Sequence, residues 1–204
     1  MSSRKVRYAV GIDQSYSSTG LVVLDLEEGV VIEHCTIKAG NSEMKLGLRL
    51  HILISKLLSS MPSDVGSTYV CLEGGAFASE FNTFRLGELS GAIRYALYKE
   101  GYEVEIVQPT TLKKFITGKG SATKVMMAQA VKERWGFENA SDDIIDAYGL
   151  ARAAEYLGNN RVEEAPHPSK NAKPSKPKTV TGKRLKLNHD NNATKVIHDT
   201  EEIF

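Results

Sequence analysis

Apolar residues fall at two different spacings along this chain, and the switches between them mark out its elements. Residues 6–12 (VRYAVGI) read as a buried strand ending at Asp13, QSYSSTG as a polar turn, and LVVLDL as a second strand. VVIEHCTIKAG gives a third, so three consecutive strands joined by short turns predict an antiparallel meander. From Glu43 to Met61 the spacing becomes helical, with Leu46, Leu50, Leu53, Ile54, Leu57 and Leu58 along one side. TYVCLE is a fourth strand, ending at Glu73 ahead of a Gly-Gly pair.

A helix is predicted from Phe84 to Glu100, stopped by Gly101. EVEIVQP makes a fifth strand closed by Pro109. Thr110 caps a short helix through Phe115, GKGS breaks it, and Ala122–Trp135 forms another. Ser141 suits the N-cap of a last helix running to Leu157. The order β-β-β-α-β-α-β-α-α predicts an α/β fold, a mixed five-stranded sheet flanked by helices on both faces. Beyond residue 163 the composition turns to Pro, Lys, Ser and Asn with few large apolar residues. Such a segment buries too little to offset its ordering entropy, so residues 161–204 are expected to form a disordered tail on a domain of residues 1–160.

Charge changes this picture through its distribution. The net charge is only +1, but from residue 165 onward eight Lys or Arg stand against four acids. A neutral total with a basic segment is compatible with nucleic-acid binding through a local cationic surface. No apolar run approaches the roughly 18 residues of a membrane span, and MSSRKVRYAVGID carries no signal-peptide cleavage pattern, so a cytoplasmic protein is expected. Cys35 and Cys71 both sit in apolar strand-like runs and read as small core residues, not as a disulfide or a metal pair.

The candidate chemistry lies in acids at element ends. Asp13 closes the first strand and Glu73 the fourth, while Asp143 and Asp146, three apart, share one side of the last helix. Asp142, four residues before Asp146, is an alternative partner. First and fourth strands can be neighbours in a mixed sheet, and a later helix can lay its first turn across their ends. Each acid also has a structural reading. Asp13 suits a turn, and Asp142 and Asp143 favour a helix N-terminus. Asp146 lies a turn further in, ahead of Ala147 and Leu150, and is not explained that way. Together the carboxylates would repel one another unless a cation neutralised them. An all-oxygen set suits Mg²⁺ or Mn²⁺, and two such ions roughly 3.5–4 Å apart can drive phosphodiester hydrolysis.

In chain order, VGIDQSYSSTG, VCLEGGAF, FRLGELSGAI, TTLKKFITGKGSATK and SDDIIDAYGLARAA resemble the successive motifs of the RuvC-type Holliday-junction resolvases, over residues 6–157. The resemblance implies a ribonuclease H-like fold and a structure-selective, metal-dependent DNA endonuclease that resolves four-way junctions by paired hydrolytic nicks. It implies two Mg²⁺ (or Mn²⁺) ions held by Asp13, Glu73, Asp143 and Asp146, with Asp142 an additional helix-capping acid. Lys113 and Lys124 occupy the family's basic positions, Lys124 beside the reacting phosphate, and Lys114 and Lys119 would add backbone contacts. Phe77 and Phe81 are candidates for an aromatic that enters the junction, although their spacing after Glu73 departs from the family's by about one residue. Gln14 stands where the family usually has Pro, which affects turn stiffness. None of the five histidines lies in the last helix, leaving proton work to lysine or water.

The helix bearing Leu86, Leu89, Ile93, Ala96 and Leu97, with Gly87, Ser90, Gly91 and Ala92 between, reads as core packing. By resemblance it is also a homodimer interface. The setting implied is a bacterial or virus-infected bacterial cell. Three alternatives stay open: a broader fork, flap or structured-RNA nuclease on the same core, a non-catalytic junction-binding protein, and a sugar kinase or actin-like ATPase. The last normally duplicates its core, which 204 residues do not accommodate.

Overall fold

Period-2 alternation and helical stripes resolve into a three-layer arrangement in the computed structural model, which describes residues 5–41, 43–75 and 80–160, apart from the side chains of 80–83 and 160. The expected tail and Phe77 lie outside the described residues. Five strands, β1 (Tyr8–Asp13), β2 (Thr19–Asp25), β3 (Val30–Ile37), β4 (Thr68–Glu73) and β5 (Glu103–Val107), form one sheet in the order β3-β2-β1-β4-β5. β1–β2 and β2–β3 are antiparallel, and β1–β4 and β4–β5 are parallel. The helices are α1 (Leu46–Ser59), α2 (Glu80–Lys99), α3 (Pro109–Thr117), α4 (Lys124–Trp135) and α5 (Asp142–Asn160). None of the described helices is long and apolar enough to cross a membrane.

Successive strand residues face opposite sides, and the two cores divide accordingly. Val10 and Ile12 of β1, Leu21 and Val23 of β2 and Val70 and Leu72 of β4 meet Leu53 and Leu57 of α1 and Leu89, Ile93 and Leu97 of α2. Ala9, Val22, Leu24, Tyr69 and Cys71 meet α3, α4 and α5 on the other side. Parity therefore puts residues 9, 11 and 13 of β1 and 69, 71 and 73 of β4 on the α5 face. Asp13 and Glu73 are the last members of those two series.

Several boundaries differ from the sequence expectation. α2 begins at Glu80 instead of Phe84, its first turn hidden by the poor helix formers Asn82 and Thr83. α3 begins at Pro109 with Gln108 at the N-cap, because proline's missing N–H is no loss at the first helical position. α4 begins at Lys124, where the Thr123 side chain accepts the Met126 N–H. Cys71 is fully buried, but Cys35 is only half-buried because β3 is an edge strand with one open side; both are free thiols.

α5 lies closest to the sheet. A Cβ on Gly11 would stand 1.9 Å from the Ala147 carbonyl oxygen and 2.3 Å from the Ala151 nitrogen, and one on Gly20 would stand 2.2 Å from the Asp143 carbonyl oxygen. Ala147, Ala151 and Ala154, all buried, keep the helix side of this contact equally thin. Gly11→Ala should therefore destabilise by about 3 kcal/mol, lowering the melting temperature by roughly 6–12 °C. Gly47→Ala, in α1 with open space around it, should stabilise by about 0.5 kcal/mol. Equal, small effects at the two positions in thermal melts would show that the contact is not tight.

Candidate active site

β1 and β4 run side by side in parallel, with Ile12 opposite Leu72, so the next residues, Asp13 and Glu73, end their strands as neighbours. Asp13 also faces Gly20 across the antiparallel pair. Gly20 in turn lies against the backbone of Asp143. The missing side chain at Gly20 is thus what lets the first turn of α5 reach the strand ends. Ser141 accepts the Ile145 N–H on its carbonyl, as an N-cap does, and its own N–H is held by Asn139 at 2.9 Å. Asp143, Asp146, Asp13 and Glu73 are all half-buried, whereas Asp142 is exposed.

The electrostatics tie these groups together. The Asp13 carboxyl is pushed up to about 9, first by burial, then by Glu73, Asp146 and Asp143. Burial also raises Glu73 above the usual carboxylate range, with Asp146 adding to the effect, while the hydrogen bond shared with Asp13 and the charges of Lys113 and Lys124 oppose it. Asp146 is raised by burial as well; Lys124 and Lys113 oppose, and Asp142 and Asp143 add. Lys124 in turn is raised by its hydrogen bond to Asp142, at 2.9 Å, and by the charges of Asp142, Asp146 and Asp143.

The structure thus brings Asp13, Glu73, Asp143, Asp146, Lys113 and Lys124 into one neighbourhood. Lys114 and Lys119 are exposed on α3 and the turn after it, with no carboxylate partner among the described residues. Phe81 falls in the first turn of α2, its side chain outside the described residues, as is all of Phe77.

Three supporting residues were missed by sequence reasoning as parts of the site. The Gln14 amide, 5% exposed, donates to the Glu73 carbonyl at 2.6 Å and so ties the exit of β1 to the end of β4. Ser18 donates a hydrogen bond to the Asp143 carboxylate. Arg49, also buried, donates to the Tyr16 carbonyl at 2.9 Å and lies over the Tyr16 ring, bracing the β1–β2 turn. Arg49 carried a legible signal, since it sits on the apolar side of α1, three residues after Leu46 and four before Leu53. Gln14 and Ser18 did not, because turn residues of this kind usually bond locally.

Among the described residues no three acids stand close enough to close around an ion, since Asp143 turns to Ser18 and Asp13 to Glu73. The donor set nevertheless fits a hard divalent cation. It is all carboxylate, and burial leaves it with mutual repulsion that a cation would relieve.

The family described as crossover junction endodeoxyribonuclease RuvC matches residues 9–153. The chain belongs to that family. Among curated RuvC proteins, one from Rhodopirellula baltica is 28% identical over 76% of this chain and 90% of its own. One from Dictyoglomus thermophilum is 29% identical over 69% and 91%. The solved RuvC of Thermus thermophilus shares the fold at a TM-score of 0.63, with 20% identity over 76% of this chain and 96% of its own. That protein has also been solved in complex with Holliday junction substrate, again at 0.63 with 20% identity, over 75% and 96%. The family match spans every one of the clustered acids and both central lysines.

An acid whose pKa rises on folding holds its proton more tightly in the folded state. Its stabilising contribution is complete at acid pH and is lost as pH climbs from the unfolded value, about 4, through the folded one. For Asp13 the folded value is about 9. In chelator the wild-type melting temperature should therefore fall between pH 5 and pH 9 relative to Asp13→Asn, which lacks the titration. Parallel pH profiles for the two proteins would show that Asp13 is not strained by its neighbours.

Proposed function

We propose that this RuvC-family chain resolves four-way DNA junctions by metal-dependent hydrolysis of one phosphodiester in each of two opposed strands. The observation that carries the reading is the half-buried set of neighbouring carboxylates, Asp13, Glu73 and Asp146 with Asp143, bordered by Lys113 and Lys124. In this reading Asp13, Glu73, Asp143 and Asp146 would together hold two Mg²⁺ or Mn²⁺ ions. Bound there, such ions would supply an activated water and charge stabilisation for the leaving oxygen. Lys124 sets a positive charge against the reacting phosphate, Lys113 supports it from α3, and Lys114 and Lys119 extend the phosphate contacts along the backbone. Gln14 and Ser18 hold the strand ends and Asp143 in place. An aromatic from the segment after β4, Phe77 or Phe81, enters the junction.

Paired cuts call for two sites related by a two-fold axis, and α2 supports a homodimer. Leu89, Ile93 and Leu97 are consumed by the core, leaving a second stripe on which Phe84, Tyr95 and Tyr98 are 74%, 65% and 76% exposed. Gly87 and Gly91, on the same stripe, have open space around them. An uncovered aromatic and glycine face of this kind favours close helix-on-helix association. Residues 1–160 then form the nuclease domain, acting in the cytoplasm, and the basic residues of 161–204 add phosphate contacts.

The test uses a labelled synthetic four-way junction beside a fork, a linear duplex and a structured RNA, with Mg²⁺, Mn²⁺ or EDTA. Symmetric nicks in opposed strands of the junction are expected, abolished by EDTA and reduced on the order of 100-fold or more in Asp146→Asn while junction binding persists. Equal cutting of forks would broaden the substrate to branched DNA, cutting of RNA alone would replace it, and no cleavage with either metal would refute the nuclease reading.

A further inference from the structure

Lys124 is the first residue of α4 and its side chain is 67% exposed. A helix N-terminus is electropositive and repels an ammonium group, and a free lysine side chain at that exposure loses its conformational freedom only if something holds it. Asp142 does so. Its carboxylate, 51% exposed, lies 2.9 Å from the Lys124 Nζ and joins the first residue of α4 to the first residue of α5. Thr123 caps α4 through the Met126 N–H, so the backbone from which Lys124 projects is itself fixed.

The place where Lys124 is held matters for the reaction. Its Nζ lies 2.9 Å from Asp142, the residue just before Asp143, which sets the ammonium at the edge of the carboxylate cluster, where its charge acts on both Glu73 and Asp146. Asp142 precedes Asp143 by one residue and Asp146 by four. It therefore sits on the outer rim of the same helical turn, exposed where they are half-buried. The acid next to the proposed ligands is thus already committed to a lysine.

We propose that Asp142 is a positioning residue that fixes the Lys124 ammonium at the mouth of the carboxylate cluster, ready for the phosphate of the strand to be cut. The inference rests on Lys124 acting on that phosphate, as in the reading above. An ion pair this exposed adds little to stability; its effect lies in orientation. The Asp142 carboxylate itself adds negative charge where DNA must approach, so its removal slows the reaction through lost orientation while leaving binding unweakened.

The experiment is a double-mutant cycle in single-turnover cleavage of a labelled four-way junction, with binding measured separately in EDTA. Asp142→Asn should lower the cleavage rate about threefold to fivefold and leave junction affinity unchanged or tighter. Asp142→Glu should recover at least half of the lost rate, and Asp142→Asn should have no further effect once Lys124 is Met. An equal loss of rate in the Lys124→Met background, or a loss of affinity together with rate, would overturn the inference and make Asp142 a metal ligand or a purely structural acid. If Lys124→Met alone cleaves at the wild-type rate, the role of Lys124 falls instead, and the inference with it.

Discussion

At Gly11 and Gly20 the backbone of α5 comes so near β1 and β2 that no side chain fits between them, and the geometry of the site follows from that approach. An ordinary helix packs on a sheet through interlocking side chains. Here small residues on both surfaces let the helix settle lower, so that its first turn comes level with the ends of β1 and β4. Parity does the rest, since the α5 face of β1 ends in Asp13 and that of β4 ends in Glu73. Two strand ends and one helix turn thus bring four carboxylates into one neighbourhood without a long loop, Asp143 turned to Ser18 and Asp13 to Glu73.

The arrangement costs the protein stability. Burial and like charge keep Asp13 and Glu73 from ionising freely, and the two share a hydrogen bond. Lys113 and Lys124 offset part of the repulsion from the rim, and Ser18 and the buried Gln14 hold individual groups against it. A fold that retains such a cluster in place of a packed apolar contact has its strain concentrated where function requires charge. Divalent cations are the natural relief, which links the raised carboxylates to the chemistry proposed for them.

Most of the architecture was legible because it rests on strong periodic signals. The alternation in VRYAVGI and TYVCLE and the stripe through Leu46–Leu58 specify both element type and buried side, and Asp13 and Glu73 could be picked out from their place at strand ends. Element starts were less legible. The first turn of α2 contains the poor helix formers Asn82 and Thr83, and α3 starts at Pro109 because proline is tolerated at the first helical position, so neither start follows from local preference. Gln14 was legible as an unusual residue but not as a clamp on the Glu73 carbonyl, since that bond joins positions 59 residues apart. The pairing of Lys124 with Asp142 was hidden for the same reason. Each residue stands out singly in the sequence, but only the packing of α4 against α5 brings them together.

The most direct test of the central claim, that α5, β1 and β4 together build one cation site, is anomalous diffraction from crystals grown with Mn²⁺. The account predicts one or two manganese peaks enclosed by Asp13, Glu73, Asp143 and Asp146, with Asp143 turned from Ser18 toward the metal. Manganese bound elsewhere on the chain, with the Asp13–Glu73 hydrogen bond intact, would contradict it.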